Sequence, residues 1–291
     1  MTRQPLVARR AEDLLGTSVV ATAPIAGGDI ATATKLRLSD GTTALMKTHP
    51  HAPPGFFESE AAGLRWLAEA AASGGVAVPE VLGVDHECLI LRWVEPSRIG
   101  VDAAASFGVA LAATHQAGAA AYGQQPSTAD GYIGRLPLPG RPADTWAEFY
   151  ATRRVLPYLK LARDRGAATD QEADASESVL GRLVDLVPVE PPARLHGDLW
   201  NGNVLWGAEG RAWVIDPAAH GGHRETDLAM LSLFGLPHLA RVLEAYDQAT
   251  PLAEDWESRQ GLHQLFPLLV HACHFGGGYA ARAAEVAGRY I

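Results

Sequence analysis

The sequence predicts an α+β fold of two lobes: an N-terminal five-stranded antiparallel sheet with a helix, followed by a mainly helical C-terminal lobe. Three observations predict it. Residues 17–48 carry three runs rich in Val, Thr, Ile and Leu, broken by Gly27 and Gly28 and then by Ser39, Asp40 and Gly41, the pattern of an antiparallel meander. From residue 101 onward the apolar residues recur mostly at helical spacing. Between these regions Val94, Glu95, Pro96 and Ser97 read as a linker, which divides the chain into residues 1–95 and 96–291.

Taken in order, residues 5–15 predict a short helix with Leu6, Val7, Leu14 and Leu15 on one face. Strands follow in TSVVATAPI, DIATATKLRLSD and TTALMKT. A glycine pair in a hairpin is more often a permissive turn than a phosphate cradle. Here, however, Lys47 stands on the third strand, and FFESEAAGLRWLAEA predicts a helix that offers it a carboxylate. Such a pair can grip the α and β phosphates of ATP, with Gly27 and Gly28 as the cradle. Periodicity leaves both Glu58 and Glu60 open as the partner; Glu60 is preferred because Ala61, Leu64 and Leu67 then supply a neighbouring apolar face. EVLGVD and ECLILRW complete the sheet.

Residues 101–118 predict a helix with His115 near its end, where a polar or cationic group suits the helix dipole. Residues 122–141, rich in Gly and Pro, predict a long irregular loop of a length that often carries function. TWAEFYATRRVLPYLKLARDRG predicts an amphipathic helix interrupted at Pro157, and SESVLGRLVDLV another, stopped by Pro188, Pro191 and Pro192. Trp146 and Tyr150, one turn apart, are expected to pack in the core. Beyond residue 216 a glycine-bearing loop leads into a helix from about Glu225, capped by Thr226 or Glu225, with Asp227 in its acidic first turn and placed to bond a neighbouring loop. The C-terminal helices carry His263, His271 and His274, without the Cys or HExxH spacing of a zinc site.

The chemistry is concentrated in RLHGDLWNGNVLWGAEGRAWVID, residues 194–216. HGDLWNGN predicts a polar loop, VLW a strand, GAEGR a turn and AWVI a second strand ending at an acid, so the hairpin brings Asp198, Asn203 and Asp216 toward one end. A lone Asp in a turn is ordinarily a turn residue. The ordered set is more specific. Phosphoryl transfer from a nucleotide uses one carboxylate to orient the attacking hydroxyl, and a carbonyl oxygen plus a second carboxylate to hold magnesium over the phosphates. Asp198, Asn203 and Asp216 follow the order of catalytic loop and metal-binding acid in protein kinases, with HGD and IDP in place of HRD and DFG.

Bulk properties remove other classes. The 291 residues are 47% hydrophobic and 20% charged, an ordinary globular composition. With 24 Lys and Arg against 33 Asp and Glu, the net charge of −9 disfavours a nucleic-acid partner. No apolar run of about 18 residues suggests a membrane span. Cys88 and Cys273, far apart and in no CxxC pattern, suggest two buried thiols in a cytoplasmic protein.

With these residues in view, the chain closely resembles the fructosamine kinase family (fructosamine-3-kinases and ketosamine-3-kinases), a branch of the aminoglycoside-phosphotransferase-like kinases. The matching strings are HGDLWNGNV, IDPAAHGGHRETDLAM and HQLFPLLVHACHFGGGY, together with the lysine strand, FESEAAGL and GYIGRLPLP, and they span nearly the whole chain. The resemblance implies a two-lobed protein-kinase-like fold in which the backbone of Arg92, Trp93 and Val94 bonds the adenine edge of ATP. It implies that Asp198 accepts the sugar hydroxyl's proton, that Asn203 and Asp216 bind Mg2+, that Lys47 with Glu60 holds the nucleotide phosphates, and that Trp200, His223 and Glu225 lie near the sugar-amine site. The implied reaction is phosphorylation of the 3-hydroxyl of a ribulosamine or fructosamine, small or protein-bound, which destabilises the adduct and so reverses glycation.

One departure stands in the Gly-rich turn. Some relatives carry a cysteine there that links two chains, whereas this chain has Asp29, so a disulfide-switched dimer is not expected and both monomer and homodimer remain open. An aminoglycoside- or choline-type kinase shares the same core. A non-catalytic nucleotide-binding regulator is expected to have lost a lysine, base or metal residue, and Lys47, Asp198, Asn203 and Asp216 are all present.

Overall fold

The computed structural model describes residues 6–26, 30–127 and 130–291. The expectations for Gly27, Gly28 and Asp29 lie outside the described residues. Helix α1 (Leu6–Leu15) precedes strands β1 (Val19–Ile25), β2 (Thr32–Leu38) and β3 (Thr43–Thr48), helix α2 (Phe56–Ala68), and strands β4 (Val81–Val84) and β5 (Cys88–Arg92). The five strands form one antiparallel sheet in the order β1-β2-β3-β5-β4.

Alternation along the strands sorts their side chains between two helices. On one face Leu36, Leu38, Ala44, Met46, Cys88 and Ile90 pack with Ala11 of α1. On the other, Leu89 and Leu91 pack with Phe56, Phe57, Ala61 and Leu64 of α2. Lys47 pairs with Leu89 across the sheet and therefore faces α2. In α1 the packed face is Val7, Ala11, Leu14 and Leu15; Leu6 points to solvent, a correction to the sequence expectation that follows from its being one position off that stripe.

The helical lobe opens with α3 (Val101–Gln116). Residues 122–141 are not a wholly irregular loop: β6 (Gly131–Ile133) and β7 (Leu136–Leu138) pair as a hairpin whose three-residue strands are too short to show a period in sequence. Next come α4 (Trp146–Phe149), a π-helical turn (Tyr150–Val155) and α5 (Leu156–Asp164), with Pro157 absorbed in the first turn of α5, where its missing N–H matters least. The second predicted helix is broken into α6 (Asp170–Ser178), a 3-10 turn and α7 (Leu183–Leu186). Strands β8 (Ala193–Leu195), β9 (Val204–Trp206), β10 (Ala212–Val214) and β11 (His220–Gly222) make two small ladders, β8 with β11 and β9 with β10. Helices α8 (Glu225–Phe234), α9 (Leu239–Ala249), α10 (Trp256–Phe275) and α11 (Tyr279–Ala287) complete the lobe.

The two lobes share a core. Trp66, Leu67 and Val76 belong to the same buried cluster as Leu111 of α3, Leu199, Val204, Val214, Leu228 and Val242. A backbone bond stitches the same seam, from Val214 N to Ala77 O at 2.8 Å, and a second, from Ser97 N to Trp206 O at 2.6 Å, fastens the segment just past the linker to the helical lobe. No helix among the described residues is long and apolar enough to cross a membrane.

Candidate active site

The loop between β8 and β9 is fixed by its own backbone. Gly197 sits at φ 80 with Ala218 O only 2.2 Å from where a Cβ would stand, so both the left-handed conformation and the close approach require glycine. Asp227, in the first turn of α8, accepts from His196 N at 2.8 Å and Gly197 N at 2.9 Å, as the sequence placed it to do. Burial alone would raise the Asp227 carboxyl; the hydrogen bond from His115, helped by that from Gly197 N, outweighs it and holds the carboxyl below its usual value. His115 Nε2 lies 3.2 Å from that carboxylate and its Nδ1 2.7 Å from Tyr246 Oη, so its place near the end of α3 serves this buried network. His196 accepts from Asp198 N through Nδ1 at 3.2 Å, and its Nε2 lies 2.9 Å from Ile215 O, which fixes the tautomer; burial depresses its pKa and keeps the ring neutral.

This frame presents the polar set. Asn203 Nδ2 donates to Asp198 O at 2.8 Å and Oδ2 at 3.1 Å, and Ile215 N donates to Asn203 O at 3.0 Å. Asp216 follows in a left-handed conformation, φ 55, unusual for a residue other than glycine and a sign of local strain held by its surroundings. Its Oδ1 accepts from Lys47 Nζ at 2.9 Å, while Lys47 also donates to Glu60 Oε1 at 2.7 Å and Oε2 at 2.8 Å. The open choice between Glu58 and Glu60 is thereby decided for Glu60; Glu58 is exposed.

Electrostatics in the cluster are dominated by burial. Burial would lower Lys47, but Asp216 and Glu60 outweigh it and hold the ammonium protonated. Burial pushes Glu60 up, opposed by Lys47 and reinforced by Asp216, because two carboxylates share one ammonium. Burial and then the nearby Asp216 push Asp198 up to about 7, against the hydrogen bond from Asn203.

At the sheet's exit Arg92 N donates to Glu80 O at 2.8 Å and Trp93 N to Thr43 O at 3.0 Å, so Val94 offers the remaining amide of the three. The Arg92 side chain turns outward to Glu80, and Lys35 caps the Trp93 ring 4.0 Å from its centroid.

The three expected sugar-amine residues separate. Trp200 is 40% exposed beside Asp198, and its indole lies over Gly202, where a Cβ would stand 2.4 Å from the ring. It stands edge-on to Phe234 at 6.2 Å, which packs on His271 at 4.6 Å and so extends the aromatic wall. Sequence reading did not single out Phe234, and took His271 only as one of three histidines; their alliance with Trp200 is a tertiary contact with no local signal. His223 and Glu225, in contrast, have no exposed surface. Glu225 Oε1 takes Arg259 Nη2 at 2.6 Å, and Oε2 takes Arg259 Nε at 3.2 Å and His263 Nε2 at 3.1 Å. His223 packs on His263 and Trp146 at 5.0 and 5.6 Å. Both are therefore enclosed in an ion-paired and aromatic cluster between α8 and α10, with no surface of their own to offer a ligand. The expected side-chain cap of α8 is also absent, since Thr226 Oγ1 meets His263 Nδ1 and Glu225 is turned inward to Arg259. His223, Glu225 and His263 come close enough together for a metal ion, but the guanidinium on Glu225 already supplies the positive charge and would repel a cation.

The fructosamine kinase family profile matches residues 4–291. A Thermus thermophilus protein named as a probable ketoamine kinase is 37% identical over 257 residues, 88% of either chain. The crystal structure of a Thermobifida fusca protein assigned as a fructosamine-3-kinase superposes with a TM-score of 0.90 at 48% identity, over 98% of each chain. A macrolide 2'-phosphotransferase from Brachybacterium faecium, 17% identical over 98% of each chain with a TM-score of 0.60, shares the fold alone. This chain, with its sheet, its helical lobe and its polar cluster between them, belongs to the fructosamine kinase family.

Proposed function

We propose that the protein is an ATP-dependent kinase that phosphorylates the 3-hydroxyl of ketosamines, the ribulosamine or fructosamine adducts of amines, and so initiates removal of glycation. The observation that carries this reading is the convergence of Lys47, Glu60 and Asp216 in one ion-paired cluster beside Asp198 and Asn203. Family membership supports the ketosamine, and two proteins of the same fold, a spectinomycin phosphotransferase and LicA, were crystallised with ADP and AMP.

In this reading Lys47, aligned by Glu60, binds the α and β phosphates, and Val94 N meets the adenine edge with the Arg92 and Trp93 carbonyls. Asn203 commits its amide nitrogen to Asp198, which leaves its carbonyl oxygen, and Asp216 keeps Oδ2; two hard oxygen donors suit magnesium. Bound Mg2+ would supply charge neutralisation on the phosphates. Asp198 orients the sugar hydroxyl and takes its proton as the sugar oxygen bonds to the γ phosphorus and the bond to the β-phosphate oxygen breaks, releasing ADP. Trp200 bears on the ketosamine, and the buried His223 and Glu225 hold the packing of α8 against α10. The substrate is a small ketosamine or one on a protein amine, and the site is read as cytoplasmic.

ADP release measured with ribulosamine, fructosamine, an aminoglycoside and choline tests the reading. Magnesium-dependent turnover is expected with a ketosamine; turnover of the aminoglycoside or choline alone refutes it. Asp198→Asn should bind nucleotide normally and lose turnover by roughly 10²-fold or more. A fully active Asp198→Asn enzyme refutes the assignment of the base.

A further inference from the structure

The hairpin of β6 and β7 belongs to neither lobe alone. Alternation sends successive β6 side chains to opposite sides. Ile133, with Leu136 and Leu138 of β7, is buried in the helical lobe's core with Phe266 and Leu269. Tyr132 turns the other way: its ring lies 5.4 Å from that of Phe56 in α2, and its hydroxyl donates to Pro54 O at 2.9 Å. Gly131 lies so close to α2 that a Cβ would stand 3.0 Å from Ser59 Oγ. At the tip, Gly134 has φ 57, and a Cβ there would be 2.5 Å from His274 Nε2 and 3.1 Å from the Ile30 side chain. His274, near the end of α10, sets its Nε2 3.2 Å from Ile133 O.

The first turn of α2 lacks the usual fastening. Its N-cap is Gly55, at φ 78, and no side chain caps it. Phe56 precedes Glu60 by one helical turn, so a contact that fixes the Phe56 ring also fixes the roll of the helix that carries Glu60. Tyr132 supplies both a ring against Phe56 and a bond to the residue before Gly55.

We propose that Tyr132 is a positioning residue: the 131–138 hairpin straps α2 to the helical lobe and thereby sets Glu60 against Lys47. The inference rests on the reading of Lys47 and Glu60 as the nucleotide grip. The strap ends on α10, the helix that also carries His271 of the aromatic wall, so the nucleotide side and the acceptor side of the cleft hang from one frame.

Calorimetric binding of the magnesium complex of a non-hydrolysable ATP analogue decides the matter. Tyr132→Ala should raise Kd about fivefold, and Tyr132→Phe, which keeps the ring, by no more than about twofold. In a Glu60→Gln background Tyr132→Ala should add no further loss, because the strap acts through Glu60. An undiminished loss in that double variant overturns the strap, as does wild-type binding by Tyr132→Ala while Lys47→Ala binds more weakly. Wild-type binding by Lys47→Ala overturns the grip itself, and the strap with it. Should Tyr132→Ala fail to fold, Tyr132→Leu keeps the apolar bulk and carries the same expectations.

Discussion

Glu225→Gln separates a structural ion pair from a substrate contact. The carboxylate has no exposed surface and receives both nitrogens of the Arg259 fork, at 2.6 and 3.2 Å, with His263 at 3.1 Å. Burial alone would raise its pKa; the hydrogen bonds from His263 and Arg259 prevail and bring it from 4.5 to about 2. A carboxyl whose pKa is lowered in this way adds roughly 3 kcal/mol of stability at neutral pH. Because the folded value is the depressed one, that stability is fully present above the unfolded value near 4.5 and is lost as pH falls through about 2. The amide keeps the shape, removes the charge and leaves Arg259 without its partner. At about 2 °C or more per kcal/mol for a chain of this size, Glu225→Gln should melt roughly 6 °C lower at pH 7. The gap should narrow between pH 5 and pH 3. Scanning calorimetry across that range measures it. An unchanged melting temperature together with a raised KM for the ketosamine would place Glu225 on the substrate and refute the ion-pair argument.

Three further outcomes concern the Asp198 loop, the exposed indole and the two thiols. Asp227→Asn removes the charged acceptor of His196 N and Gly197 N, and should lower kcat about thirtyfold, since hydrogen bonds to a charged group are worth about 2 kcal/mol, while nucleotide Kd stays unchanged; a shifted Kd would show that the damage reaches the nucleotide side. Trp200→Ala should raise KM for the ketosamine about tenfold with KM for ATP unaltered, and equal effects on both would remove the indole from the acceptor site. Cys88 and Cys273 are buried, with thiols that burial pushes up to about 11, so the native protein should resist thiol titration, and an oxidant-induced covalent dimer would contradict that.

The sheet was legible because its information is local. A two-residue period, turn residues and one charged side chain on an otherwise apolar strand suffice to put Lys47 on the α2 face, and a helix a few residues downstream has few ways to return a carboxylate to it. Asp198, Asn203 and Asp216 were legible for the same reason, since one short hairpin separates them. The burial of His223 and Glu225 was not. Glu225 meets Arg259 and His263 across more than thirty residues, and an acid at a helix start reads in sequence as a cap or a surface ligand whether or not a guanidinium from another helix lies over it. Gly and Pro hid the 131–138 hairpin, although its packing depends on the glycines: Gly131 and Gly134 are where backbone must come within contact of Ser59 and His274.

The cluster around Lys47 also bears on how nucleotide would enter. Asp227 and the neutral His196 hold the Asp198 loop through bonds within the protein itself, and both are buried. Asp216 differs. It is strained in backbone, its side chain is 43% exposed, and one of its oxygens is spent on Lys47, which Glu60 already binds through both of its own. Lys47 can therefore lose Asp216 and stay paired, so a phosphate can replace a carboxylate on the ammonium with no buried charge left alone. In the proposed reaction this exchange frees Asp216 for the metal at the moment the phosphates arrive. On that argument Lys47→Ala leaves Asp216 free without any exchange, so it should weaken nucleotide binding while magnesium alone binds no more weakly than to the wild type, and a variant that lost both would show that Asp216 is not released by the exchange.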